Sequence, residues 1–89
     1  MKSDPRLTAE DINEYFSAMD DSVNLINNTI ADDTRALEIY DNTEGIKAMM
    51  KRNTDHLELQ LVKDWAVADS RDKSSYTDAI TAGLNYING

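Results

Sequence analysis

Apolar residues in the first third of the chain fall in a helical rhythm. Ile12, Tyr15, Phe16, Met19, Val23, Ile26 and Ile30 recur at spacings of three and four, the repeat of one face of an α-helix. Thr8 stands ahead of the stripe as an N-cap, with Asp11 three residues on, close to a capping box. Glu10 and Asp11 add negative charge in the first turn, where the helix dipole favours it. The pattern predicts a first helix from Ala9 to Ile30, with the weak helix formers Asn27, Asn28 and Thr29 in its last turn.

Asp32-Asp33-Thr34 comes next. Either aspartate can cap a short helix through Arg35, Ala36, Leu37 and Tyr40; the alternative is that the first helix bends and continues. A separate short helix over residues 33–40 is favoured, because Asp41-Asn42-Thr43 follows at once as a stop and a fresh start. A long helix is then expected from Glu44 to Ala68. At roughly 100° per residue, Ile46, Met50, Leu57, Leu61 and Ala68 lie within about 40° of one direction. Met49 and Trp65 flank that stripe, Leu59, Val62 and Ala66 point the other way, and Asp64 projects near the stripe and dissents from it. Ser75 with Asp78 offers a second capping box ahead of a last stripe, Tyr76, Ile80, Leu84 and Ile87. Gly83 within it either permits close helix packing or weakens the helix, and Gly89 stands where a C-cap glycine sits. Residues 1–7, with Pro5, read as a flexible leader, and no β-type alternation competes. The expected architecture is one all-α domain over residues 1–89: a small antiparallel helical bundle of three main helices plus a short fourth.

Eighty-nine residues, 40% of them apolar, suffice for one modest core and argue against wholesale disorder. The absence of cysteine excludes disulfides and thiolate metal sites. No apolar run approaches the roughly 20 residues that span a bilayer, and Met1–Pro5 lead into no hydrophobic segment, so no secretory signal is expected. Asn27-Asn28-Thr29 matches a glycosylation sequon but falls inside the predicted helix, and is read as chance. Charge changes the picture more. Residues 1–31 hold two basic against six acidic groups, residues 32–45 one against five, and residues 46–89 six of each. The whole formal charge of −8 therefore lies in the first half. Such a balance speaks against nucleic acid and against an anionic membrane as partners. It suits either a solvated face that maintains solubility or a surface that meets a basic partner.

Candidate chemistry is sparse. His56 is the only histidine, and it reads as a partly exposed helix residue; the serines stand at expected caps and loops and nominate no nucleophile. Di-iron bundle sites need paired Glu-x-x-His motifs, but position 53 is Asn and no second histidine exists. The run from Asp41 puts glycine fifth and lysine eleventh, which is not the EF-hand spacing. Three glycines form no phosphate loop. No catalytic residue, metal ligand or cofactor is therefore expected. Met and Trp suit adaptable interfaces as well as cores. Met49, Leu59, Val62, Trp65 and Ala66 are accordingly the candidate interface, with core filling as the competing reading for Met49 and Trp65.

The stretch Ile46-Lys47-Ala48-Met49-Met50-Lys51-Arg52-Asn53-Thr54-Asp55-His56-Leu57-Glu58-Leu59, together with Ser75-Tyr76-Thr77-Asp78-Ala79-Ile80-Thr81-Ala82-Gly83, resembles small uncharacterised helical proteins of marine tailed phages, especially those infecting cyanobacteria. The resemblance implies a viral setting and a place in the host cytoplasm. It carries over no activity and no functional residue. The expectation is a non-catalytic helical interaction or assembly module with an unidentified protein partner. It is expected to be a homo-oligomer, a dimer in the first instance, since three helices of this length hardly cover two apolar sides of one helix. The alternative is an acidic inhibitor that occupies a basic site on a host or nucleic-acid-binding protein. The excess charge also has a thermodynamic consequence: raising ionic strength from low to physiological should raise the melting temperature modestly by screening self-repulsion. A thermal melt series in salt checks this, and a falling melting temperature would mean that attractive pairs dominate.

Overall fold

The computed structural model describes residues 7–32, 34–35 and 43–89. Four helices follow one another along them: α1 (Ala9–Ala31), α2 (Thr43–Leu61), α3 (Asp64–Ala68) and α4 (Ser74–Asn88). The protein is a small all-α bundle, and no strand occurs among the described residues. Three long helices pack on one another, with short α3 closing one end. Phe16 and Ser22 of α1 meet Trp65 of α3 and His56 of α2 in falling order, so the stretch from α2 into α3 runs antiparallel to α1. Thr54 of α2 meets Gly83 of α4, and Tyr76 at the start of α4 meets Phe16 and Asp20 of α1. α4 therefore runs with α1 and against α2.

α1 begins where capping chemistry places it. The Thr8 hydroxyl accepts from the Asp11 amide and the Asp11 carboxylate accepts from the Thr8 amide, both at 3.1 Å. Two orphan donors are satisfied reciprocally. Phe16, Met19 and Ile26 are buried, Ile12 and Val23 pack at the margin, and Tyr15 and Ile30 lie at the exposed edges of the stripe. Leu7, assigned above to the flexible leader, packs against this core; the rest of that leader lies outside the described residues. α1 does not continue through Asp32, whose backbone leaves the helical region at φ −149°, ψ 78°. The Asp32 carboxylate accepts from the Arg35 amide at 3.2 Å, as an N-cap does. The expected short helix over 33–40 otherwise falls on residues outside the described set.

The long helix expected over Glu44–Ala68 is two helices. α2 stops at Leu61, and Lys63 adopts an extended backbone at φ −69°, ψ 148° and opens α3. A continuous helix would leave Ala66 on the outer side with Leu59, since seven residues nearly complete two turns. The break turns Trp65 and Ala66 inward, where they are 3% and 0% exposed. Asp64, out of place in the long register, becomes a first-turn acid of α3, where the helix dipole favours it.

The start of α4 also differs from expectation. Ser75 with Asp78 does not cap it. Asp72 instead accepts from the amide and hydroxyl of Ser74, at 2.9 and 2.8 Å, and the helix begins at Ser74, two residues before the start a Ser75 cap would give. Its buried line is Tyr76, Ala79 and Gly83, with Ile80 and Ile87 beside it and Leu84 at the exposed edge. Small residues displaced the larger ones because α4 approaches α2 closely. A Cβ added at Gly83 would lie 2.2 Å from Thr54 Oγ1. That hydroxyl is fully enclosed and makes no hydrogen bond. Gly89 closes the helix as its C-cap, its amide donating to the Asn85 carbonyl at 2.8 Å.

Glycine to alanine in a helix interior ordinarily gains about 0.5–1 kcal/mol, whereas overpacking costs about 1–3 kcal/mol. Here the clash decides: Gly83→Ala should destabilise. Thr54→Ala removes the opposing oxygen and leaves the Thr54 Cβ at an ordinary 3.4 Å from the new methyl. The double variant should recover much of the loss, with a coupling above about 1 kcal/mol in a denaturation cycle. Additive effects would mean that the two helices do not meet at this point.

Candidate functional site

Two features stand out above the helical framework: an aromatic cluster at the α3 end, and polar pairs that tie α1 to its neighbours. Phe16 lies at the centre of the cluster. Its ring takes the edge of Trp65 at a centroid distance of 5.2 Å and 79°, and meets Tyr76 at 5.6 Å. Tyr15 stacks on Trp65 at 4.7 Å. The Arg71 guanidinium sits 3.9 Å from the centre of the Phe16 ring, a cation–π arrangement. Arg71 also donates from Nε to Asp69 Oδ1 at 2.8 Å and from Nη2 to Asn13 Oδ1 at 2.7 Å. Those bonds pin the connection between α3 and α4 onto α1. The Arg71 side chain, and then its backbone amide, hold the Asp69 carboxyl below its ordinary value. Lys73 Nζ donates to the carbonyls of Asp69 and Arg71, so this loop is bonded on itself and every group in the cluster has a structural use.

Tyr76 is 4% exposed, and its hydroxyl donates to Asp20 Oδ1 at 2.7 Å. Burial first, and the bond to the Asp20 carboxylate second, push its pKa up to about 12. A phenol brought into the core needs a partner, and Asp20 supplies it. Midway along the bundle, Ser22 Oγ and His56 Nδ1 are 3.0 Å apart. A serine–histidine contact is the first half of a nucleophilic site. Ser22 is only 6% exposed, however, and no carboxylate bonds to His56 among the described residues. A productive triad needs both an open nucleophile and an orienting group, so the pair acts as a polar clip between helices. No group of three or more potential metal ligands occurs among the described residues, and no helix among them is long and apolar enough to cross a membrane.

The five candidate interface residues separate. Met49, Trp65 and Ala66 are at most 3% exposed and belong to the chain's own core, so the interface reading is corrected for them: core filling prevails. Leu59 and Val62 are 55% and 72% exposed and remain available to a partner. A helix over 33–40 would be the internal element able to cover them, and all of it except Thr34 and Arg35 lies outside the described residues. Sequence reasoning passed over Leu25 and Val67, which are also exposed, and put Leu84 in the last stripe, where it lies at the exposed edge. It also missed Ser22, Thr29 and Thr54, buried polar residues on apolar faces. Their positions were a usable signal, since Ser22 falls between Met19 and Ile26 on the same stripe, and Thr54 between Met50 and Leu57. No protein-family model, curated protein or solved structure matches the chain.

The raised pKa of Tyr76 has a definite sign for stability. The folded state holds the phenolic proton more tightly than the unfolded chain does, so this contribution is complete below about pH 10 and is lost as pH rises towards 12. In an alkaline absorbance titration one tyrosine should ionise well after the others. Tyr76→Phe should abolish that late phase and flatten the fall in stability over the same window. A single phase near pH 10 in the parent would show that the Asp20 bond does not form.

Proposed function

We propose that the protein is a non-catalytic helical module that works by binding protein, as an interaction or assembly unit. One observation carries the reading. Leu59, Val62 and Val67 stand 55%, 72% and 66% in water, around the same break at which the chain closes its own core with Trp65 and Ala66. Single exposed apolar residues are ordinary, but three large ones within nine positions, with Leu25 and Tyr15 exposed on α1, concentrate apolar area as binding surfaces do. The buried polar groups, by contrast, are spent on packing. The resemblance of residues 46–59 and 75–83 to marine phage proteins adds a viral setting, in which such a unit would act inside the infected cell.

A second reading, an acidic inhibitor of a basic site, draws on α1. That helix holds Glu10, Asp11, Glu14, Asp20 and Asp21 and no lysine or arginine. Asp11 and Asp20 are engaged in the cap and with Tyr76, while Glu10, Glu14 and Asp21 face solvent. Ionic strength separates the two: steered electrostatic binding weakens steeply towards physiological salt, and apolar docking does not.

A photoreactive residue at position 59, in cells that make the protein, should capture protein, whether another chain or a second copy. Leu59→Glu should abolish binding of that species while helical content and melting temperature stay near the parent's, because this side chain lies outside the core. Absence of any captured protein would overturn the reading, and a Leu59→Glu chain that unfolds would place Leu59 in the core.

A further inference from the structure

We infer that the joint between α2 and α3 is a hinge with two states: the closed one described above, and an open one in which Trp65 undocks and α2 runs on as a single helix from Thr43 through Ala68. The movement belongs to the chain itself and does not depend on the interaction reading. Local chemistry marks where α1 starts and where α4 starts and ends, at the Thr8–Asp11 box, at Asp72 and at Gly89. The joint after Leu61 carries no such mark. Residues 58–66 hold no glycine, proline or asparagine, the residues that stop helices. Lys63 stands at the N-cap of α3 without a side-chain bond to cap it, and its charge opposes the helix dipole there. Its φ of −69° is already helical, and only its ψ of 148° departs. Backbone bonds bracket the break on both sides. The Lys63 amide donates to the Gln60 carbonyl at 3.2 Å, and the Val67 amide to the Lys63 carbonyl at 2.9 Å. The second is the bond that a continuous helix makes.

The closed state is held by a side chain rather than by the backbone. Trp65 is 3% exposed, stacked on Tyr15 at 4.7 Å and edge-on to Phe16 at 5.2 Å. Tyr15 is itself 42% exposed, so this clamp lies at the rim of the bundle. In the open helix Trp65 stands about 40° from Leu61, at the flank of the inner stripe. Ala66 leaves the core and joins Leu59 and Val62 in one outward line at spacings of three and four. The connection allows it. Five residues separate Ala68 from Ser74 and reach about 17 Å when extended, against about 10 Å between neighbouring helix axes. Opening thus lifts Trp65 off Phe16 and lengthens the apolar line that α2 shows to water. Local openings of this kind draw on elements with few buried contacts, and α3 buries only Trp65 and Ala66.

Proline at position 64 separates this movement from plain unravelling of α3. Asp64 is the first residue of α3 and follows an extended Lys63, where proline fits. Inside a continuous helix the same ring would meet the Gln60 carbonyl. The chain has no cysteine, so a cysteine at buried Ala66 reports opening by its rate of thiol labelling. Ala79→Cys, at a similarly buried site in α4, reports global unfolding. Under native conditions Ala66→Cys should label at least tenfold faster than Ala79→Cys. Adding Asp64→Pro should slow labelling at 66 at least tenfold relative to labelling at 79. A second measurement needs no cysteine. In Trp65→Ala the carbon chemical shifts of Val62 and Lys63 should turn helical, and with Asp64→Pro added they should not. Equal labelling at 66 and 79, labelling at 66 that proline leaves unchanged, or non-helical shifts at 62 and 63 in a folded Trp65→Ala chain would each overturn the inference. If one of these chains does not fold, the other measurement decides. Capture of protein at position 59 bears on the interaction reading alone.

Discussion

The fold depends on where Phe16 puts its ring. That side chain is 1% exposed and simultaneously touches Trp65 of α3, Tyr76 of α4 and the Arg71 guanidinium in the loop between them. Edge-on and offset aromatic pairs each add about 0.5–1.5 kcal/mol beyond the area they bury, and a partly desolvated cation–π contact adds about as much. In a domain of 89 residues, whose total stability is of the order of 5–10 kcal/mol, these contacts are a large share. They also account for the break after Leu61. Trp65 reaches the Phe16 ring only if α3 is re-aimed, so one extended residue at Lys63 allows the aromatic cluster to close.

From that cluster the register of the bundle propagates through small and polar contacts rather than large apolar ones. Asp20 with Tyr76, Ser22 with His56, and Thr54 against Gly83 lie close together in the middle of the bundle. Each relates one residue of one helix to one residue of another. Apolar stripes can slide by a turn at modest cost, whereas a misplaced buried hydroxyl or phenol loses its partner and retains its desolvation penalty. The enclosed Thr54 hydroxyl has no such partner, and its packing against Gly83 fixes the register by shape alone. The polar residues of the interior thus serve specificity of packing.

The outer surface is organised differently from the core. The inner faces are consumed by the bundle, while the outward sides of α1 and α2 mix apolar side chains with charge, acidic on α1 and of both signs on α2. Acidic excess across the rest of α1 maintains solubility through self-repulsion. It also makes indiscriminate apolar association costly, because bringing two acidic helices together opposes it.

Much of the architecture was legible in the residues themselves. The Thr8–Asp11 cap, the extent of α1, its buried face at Phe16 and Met19, and the all-α class follow from local rules, because caps and amphipathic periods act within a few residues of the chain. The outward direction of Leu59 and Val62 followed in the same way. What the sequence did not decide was everything that needs two distant residues to choose each other. The end of α2 at Leu61, the inward turn of Trp65 and Ala66, the start of α4 at Ser74 and the use of Tyr76, Ser22 and Thr54 inside the bundle were set by tertiary contact. Local propensity leaves a helix through residue 63 and a helix broken there within about a kilocalorie of each other. The aromatic cluster around Phe16, formed by residues some 50 to 60 positions apart in the chain, supplies more than that difference, and so the broken helix is the one that forms.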